Sequence, residues 1–287
     1  MALSLADFNP IGEAITFIER FPERISEFPK EHVEFLKDLV TQYTEKRHQF
    51  PIDYFRPNLP QSKLIYSKNK DGQMPRILMF EGANKTGKTT FGVAWQLAMG
   101  IGCFPWLKKP SDEKLWHYNI SRRWKIYQQI REYCGYESWG SLSDEFYNIR
   151  NLVPNFRVPN VNLAVGETFT ESVDKDLVPK YKEMIPVAWK PDFKKNQQGV
   201  IHKITLNAGP GKGTVFYFRS YKSTPDEFEG IDTSGSILFN EPPPEQIVTA
   251  VSRGAMPYDT RIMFAYTALK EPWLYRNFVN RAATWLI

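Results

Sequence analysis

Residues 80–90 read "FEGANKTGKTT", and whether this turn cradles phosphates or is only a polar loop decides how the rest of the chain is read. Gly82, Gly87, Lys88 and Thr89 fit the spacing G-x-x-x-x-G-K-[ST]. The setting gives the spacing its weight. Ahead of it, "RILMFEG" (76–82) is a short apolar run with little alternation, as a strand buried on both faces of a parallel sheet requires. Behind it, residues 88–99 carry a helical pattern. Glycines let the backbone curl so that successive N–H groups point inward, and the helix that follows aims the positive end of its dipole at the same place. In such a cradle Lys88 reaches the β- and γ-phosphates of ATP and the Thr89 hydroxyl ligates Mg²⁺. The expected binding loop is Gly82, Ala83, Asn84, Lys85, Thr86, Gly87, Lys88, Thr89 and Thr90. A second glycine-lysine stretch, "GPGKGT" (209–214), lacks the spacing and leads into the strand pattern "TVFYFRSY", so it reads as a hairpin turn.

Further buried-strand runs stand at "VNLAVGE" (161–167), "SILFNE" (236–241) and "RIMFAYT" (261–267). Helical patterns lie between them at 121–134, ended by Gly135, at 171–183, and at 245–253, ended by Gly254. Strands alternating with helices predict an α/β fold, a mainly parallel sheet flanked by helices. "HKITLN" and "TVFYFRSY", joined by "AGPGKG", add an antiparallel hairpin. An N-terminal helical segment carries Ile11, Ala14, Ile15 and Ile18, then Val33, Leu36, Val40 and Tyr43, the two patterns closed by Pro22 and Pro51. The proline- and lysine-bearing stretch 51–75 reads as a connector.

The 287 residues, 42% hydrophobic and 24% charged, describe an ordinary globular chain able to bury a core. A formal charge of +5 is compatible with a phosphate-rich partner without demonstrating one. Cys103 and Cys134 form no CxxC pair and no metal-ligand set, which suits a reducing compartment with no disulfide. The N-terminus lacks the layout of a secretory signal, and no apolar run approaches the ~20 residues that cross a bilayer. The expectation is a soluble protein with no membrane partner.

A nucleotide cradle also needs groups for the metal's water and for the attacking water. In "ILFNEPPPEQ" a buried strand through Ile237, Leu238 and Phe239 runs to Asn240 and Glu241. P-loop ATPases place Asp then Glu at such a strand end, the first for the metal and the second to polarise the nucleophilic water. Here Asn240 takes the metal position. Its amide accepts from a metal-bound water but adds no negative charge, so Mg²⁺ is held less strongly. The plainer reading is an edge strand that ends in an incidental Glu.

Taken in order, these stretches resemble the ATPase domain of the large terminase subunit, the DNA-packaging motor of tailed bacteriophages. "GANKTGKTT" is similar to the family's adenosine-phosphate loop, in which a basic residue stands two places before the second glycine, as Lys85 does. "VFYFRSYKSTPDEFEGIDTSGSILFNEPPPEQIVTAVSR" looks like the family's strand, Ser-Tyr turn, aromatic-x-Gly step, acidic strand end and double proline. "RIMFAYTALKEPWLY" looks like the strand whose closing Thr, here Thr267, couples hydrolysis to movement. The likeness covers about 76–100 and 160–280, and hardly touches 1–75 or 103–158.

The resemblance implies a P-loop NTPase fold and Mg²⁺-dependent ATP hydrolysis, with Glu241 and Lys88 catalytic, that powers translocation of double-stranded DNA into a procapsid. Gln61, near Arg56 and Pro57, takes the place of the family's adenine-reading glutamine. Lys85 is a candidate cation on the γ-phosphate. Arg253, and after it Arg219, are candidate arginine fingers for a neighbouring subunit. The implied partners are the portal protein, the small terminase subunit and further copies in a ring on the procapsid, in the host cytoplasm. The implied division is an N-terminal helical segment over 1–50, a lid or partner-binding part, and an ATPase domain over 51–287, without the nuclease domain that follows in the family. Two other readings stay open. One is a P-loop helicase or other nucleic-acid translocase, although strand-separation motifs are not found. The other is a nucleotide-gated assembly module with little hydrolysis, which Asn240 keeps alive. Trp106, Trp116, Trp124 and Trp139, interleaved with Lys108, Lys109, Arg122 and Arg123, read either as core or as nucleic-acid contacts.

Overall fold

A computed structural model describes residues 14, 17–18, 20–83, 85–108, 124–136, 139–267 and 272–278. Strands β1 (Ile77–Glu81), β2 (Val161–Gly166), β3 (Pro191–Lys195), β4 (Ile201–Leu206), β5 (Val215–Ser220), β6 (Ser236–Asn240) and β7 (Arg261–Tyr266) form one sheet. Their order is β1-β7-β6-β2-β5-β4-β3. The first five in that order pair parallel, and β4 pairs antiparallel with both β5 and β3.

The helices are α1 (Lys30–Gln49), α2 (Leu59–Ile65), α3 (Lys88–Ile101), α4 (Trp124–Cys134), α5 (Trp139–Phe146), α6 (Val178–Met184), α7 (Asp226–Glu229), α8 (Glu245–Ala255) and α9 (Pro272–Asn277). A π-helical run, Phe169–Leu177, leads directly into α6.

Alternation along the strands sorts side chains into two cores. Ala164, Leu238, Met263, Phe216 and Phe218 face α3 and α6. Leu163, Val165, Ile237, Phe239 and Phe264 face α8 and α9. Every residue of β6 and β7 is buried, which is why these strands read as unbroken apolar runs. In α3 all residues but Thr89 and Thr90 are buried, as expected of a helix apolar on all sides.

The mainly parallel, helix-flanked sheet expected from the sequence is the one formed. The hairpin is more deeply integrated than expected. β5 lies beside β2 within the parallel set, and the edge on that side is β3, "PDFKK", whose proline and lysines suit an unpaired border and hide it from an apolar-run reading. The opposite edge is β1, which was expected to be buried on both faces but pairs only with β7 and leaves Ile77 exposed. In α1 the buried face is Leu36, Leu39 and Tyr43, whereas Val40 is 41% exposed, so the stripe runs one residue away from the expected one. Positions 10–13, 15 and 16 of the first N-terminal pattern lie outside the described residues. The connector 51–75 holds a helix, α2, begun by a capping box in which the Asn58 side chain accepts from Gln61 N–H and the Gln61 side chain accepts from Asn58 N–H.

Gly254 does not end its helix, since α8 continues through it to Ala255. Its role is spatial. A Cβ there would stand 2.5 Å from the Ile231 carbonyl oxygen, part of the backbone. Helix propensity alone favours Gly254→Ala by about 1 kcal/mol, whereas crowding a packed backbone costs about 1–3 kcal/mol. We therefore expect Gly254→Ala to lower the urea midpoint. A raised midpoint would show that the α8 backbone has room to move away from Ile231.

Candidate active site

The five parallel strands end along one edge, where ligands of open α/β sheets are bound. The β1–α3 loop begins there, its Gly82 N–H extending the strand pairing to the Tyr266 carbonyl at 3.1 Å. The turn is made by two left-handed residues, Lys85 at φ 64° and Gly87 at φ 80°. Only glycine adopts that conformation at no steric cost. Asn84 lies outside the described residues.

Lys88, the first residue of α3, is only 6% exposed, and its ammonium donates to the Ala83 carbonyl at 3.0 Å. Thr86 Oγ1 donates to the same oxygen at 2.8 Å. One ammonium thus lies inside the curl of the loop at the N-terminus of a 14-residue helix, a concentration of positive charge suited to an anion. The Lys85 side chain stands exposed at the outside of the turn.

Thr89 joins the loop to two other elements. Its Oγ1 lies 3.0 Å from Asn240 Oδ1, at the end of β6, and 3.0 Å from Oδ2 of Asp176, in the π-helical run. Asn240 Nδ2 lies 3.3 Å from the same Asp176 oxygen. Asn240 is 3% exposed. Asp176 was not among the residues expected at the site, because "VDKDL" carries no strand end and no motif.

Glu241, next along, takes φ 75°. Its N–H donates to the Ala265 carbonyl at 2.9 Å, the Tyr221 hydroxyl donates to its carbonyl at 2.6 Å, and its Oε2 accepts from the Thr267 N–H at 3.2 Å. β7 lies between β1 and β6, so this last bond ties the expected water-orienting carboxylate to the expected coupling residue just past the end of the intervening strand. The run of three prolines that follows, 242–244, is anchored by the Trp273 indole, which donates to the Pro243 carbonyl at 3.0 Å.

Gln61 is buried rather than solvated, and its Nε2 lies 3.6 Å from where a Cβ on Gly87 would stand, so the α2 segment packs on the loop. The two arginines stand apart. Arg253, exposed in the last turn of α8, pairs with Glu229 of α7. Arg219 shares the sheet face of Tyr217, its Nη1 donating to the Phe218 carbonyl at 2.9 Å, and burial lowers its pKa against the pull of Glu227. Trp106 is core, its ring edge-on to Phe55 and its indole donating to Tyr66. Lys109, Trp116, Arg122 and Arg123, with the side chains of Trp124 and Trp139, lie outside what the structure describes.

No protein-family model matches the chain, and a search of curated proteins finds no relative. Among solved structures, it is similar to the large terminase of a thermophilic bacteriophage in complex with ADP, at 13% identity and a TM-score of 0.44 over 78% of this chain and 42% of that one. It is also similar to the large terminase ATPase domain of Thermus phage P74-26, at 13% identity and a TM-score of 0.42 over 83% of this chain and 75% of that one. The chain thus spans less than half the length of the first. No helix among the described residues is long and apolar enough to cross a membrane.

A left-handed conformation at a non-glycine residue costs on the order of 1–3 kcal/mol, and Glu241 takes one at the end of the buried strand β6. Glu241→Gly should therefore be more stable than Glu241→Ala by about 1 kcal/mol, the reverse of the order at an ordinary strand end. Equal denaturation midpoints, or a more stable alanine variant, would show that the position is unstrained.

Proposed function

We propose that this chain is the ATPase motor of a large-terminase-type packaging machine, binding Mg²⁺-ATP at Gly82–Thr90 and using its hydrolysis to drive double-stranded DNA into a procapsid. The observation that carries the reading is the convergence of five sequence-expected residues at one sheet edge. Lys88 and Thr89 open the helix after β1, Thr89 touches Asn240, and Glu241 is bonded to Thr267.

Each residue has a role that its placement supports. Lys88 neutralises the β- and γ-phosphates. Glu241, held by three hydrogen bonds, orients the attacking water. Thr267 senses the state of that carboxylate through its N–H, which gives a physical route from hydrolysis to movement. Gln61 reads the adenine from its position on α2, and Lys85 supplies a cation from the tip of the turn. Arg253, and second Arg219, complete a neighbouring subunit's site. For Arg253 this requires exchange of the Glu229 pair for a phosphate, which an exposed ion pair permits at little cost. The Thr89 hydroxyl and Asn240 amide oxygens fit Mg²⁺, a hard cation that takes oxygen ligands. When held there, the metal would supply positive charge against that developing on the phosphates. Contacts to DNA phosphates would make translocation insensitive to base sequence. The portal protein, the small terminase subunit and a ring of copies are the partners this role requires.

A nucleotide-gated module with little hydrolysis is the reading that the neutral Asn240 favours. Single-turnover hydrolysis with and without linear duplex DNA separates the two. The motor reading expects turnover that duplex DNA accelerates, and a folded Lys88→Ala variant slowed about 10²-fold or more. Nucleotide binding without turnover would support the module, and near-normal turnover in Lys88→Ala would remove the loop from the active site.

A further inference from the structure

A metal site built on Thr89 and Asn240 alone is neutral, and the strand end that ordinarily supplies its carboxylate supplies an amide. Asp176 approaches from a different element. It lies in the π-helical run after β2, far in sequence from both other residues, yet its Oδ2 is within 3.0 Å of Thr89 Oγ1 and 3.3 Å of Asn240 Nδ2. Among the described residues no lysine or arginine forms an ion pair with it, and the nearby Lys88 ammonium is engaged by Ala83.

We propose that Asp176 is the anionic metal-holding residue of this site, replacing the charge absent at position 240. The inference rests on the nucleotide-binding reading above and adds a residue to it. Two features of the geometry support it. First, Thr89 Oγ1 has one proton and two acceptor oxygens at 3.0 Å, so one of those contacts holds two oxygens together with no hydrogen between them. A cation coordinated by the three relieves that repulsion. Second, ligands 2.0–2.1 Å from an octahedral Mg²⁺ lie about 2.9 Å apart along an edge, which is the spacing Thr89 already keeps to both partners.

A purely structural part for Asp176, as a clamp between the π-helical run and α3, makes a different prediction. The test is binding of a fluorescent ADP analogue to the full chain, once in Mg²⁺ and once in EDTA. The ratio of the two affinities reports what the metal contributes, without any turnover. We expect Asp176→Asn to reduce that ratio about 10–100-fold, the range for loss of a metal-supporting group. Its affinity in EDTA should hold or improve, because a negative charge beside the phosphates is gone. The double variant Asp176→Asn, Asn240→Asp should restore the ratio by returning one carboxylate to the site. A folded Asp176→Asn protein with an unchanged ratio, or with both affinities reduced together, would overturn the proposal and leave a structural clamp. Should Asp176→Asn not fold, Asn240→Asp alone decides. With Asp176 already charged its ratio rises less than tenfold, and a larger rise would mean the site had lacked a carboxylate. Wild-type protein that binds the analogue in neither buffer would instead refute the nucleotide site itself, and this proposal with it.

Discussion

The site depends on a backbone constraint in the turn between β1 and α3. Two residues in left-handed conformation, Lys85 and Gly87, reverse the chain tightly enough for α3 to start beside the strand that precedes it. From that start the first helical residue is directed inward and the second toward β6. Lys88 is buried and Thr89 is in reach of Asn240 for this one reason. The cost at Lys85 is offset by the packing of α3, which is buried along nearly its whole length and cannot be shifted without opening the larger core.

The sheet supplies the complementary constraint. Parallel strands share a direction, so β1, β7, β6, β2 and β5 bring their final residues to one edge, however far apart they lie in sequence. Glu241 and Thr267 meet because β6 and β7 are neighbours in register, with Asn240 opposite Ala265. The strand order therefore does chemical work: the intervening β7 offers a backbone N–H to a carboxylate that would otherwise project alone.

Legibility in the sequence followed burial. β2, β6 and β7 are covered on both faces and show as apolar runs, and β1 shows one although it borders the sheet with Ile77 exposed, whereas β3 is a lysine-bearing edge that shows no such run. The short α2 was signalled by Asn58, Pro60 and Gln61 in capping positions, a local pattern easily masked by the surrounding prolines. In the site, the loop was legible because its chemistry is contiguous. Asp176 was not, because nothing within its own segment distinguishes it; only the pairing of β2 with β6 brings that segment to Thr89. The packing of Gln61 on Gly87 was likewise a matter of tertiary placement.

The π-helical run has a consequence for how such a site changes over generations. Its bonds close over five residues, as when Val173 N–H reaches the Thr168 carbonyl at 3.1 Å and Val178 N–H reaches the Val173 carbonyl. Deleting one residue upstream of position 176 with no compensating change of winding would turn everything beyond it by about 100°, carrying the carboxylate away from Thr89. A single codon gained or lost thus governs whether this helix presents an acid to the loop. The descent of the site is then to be traced in the length of the segment after β2 as much as in the identity of residue 240, and an alignment that scores substitutions alone would miss the event that matters.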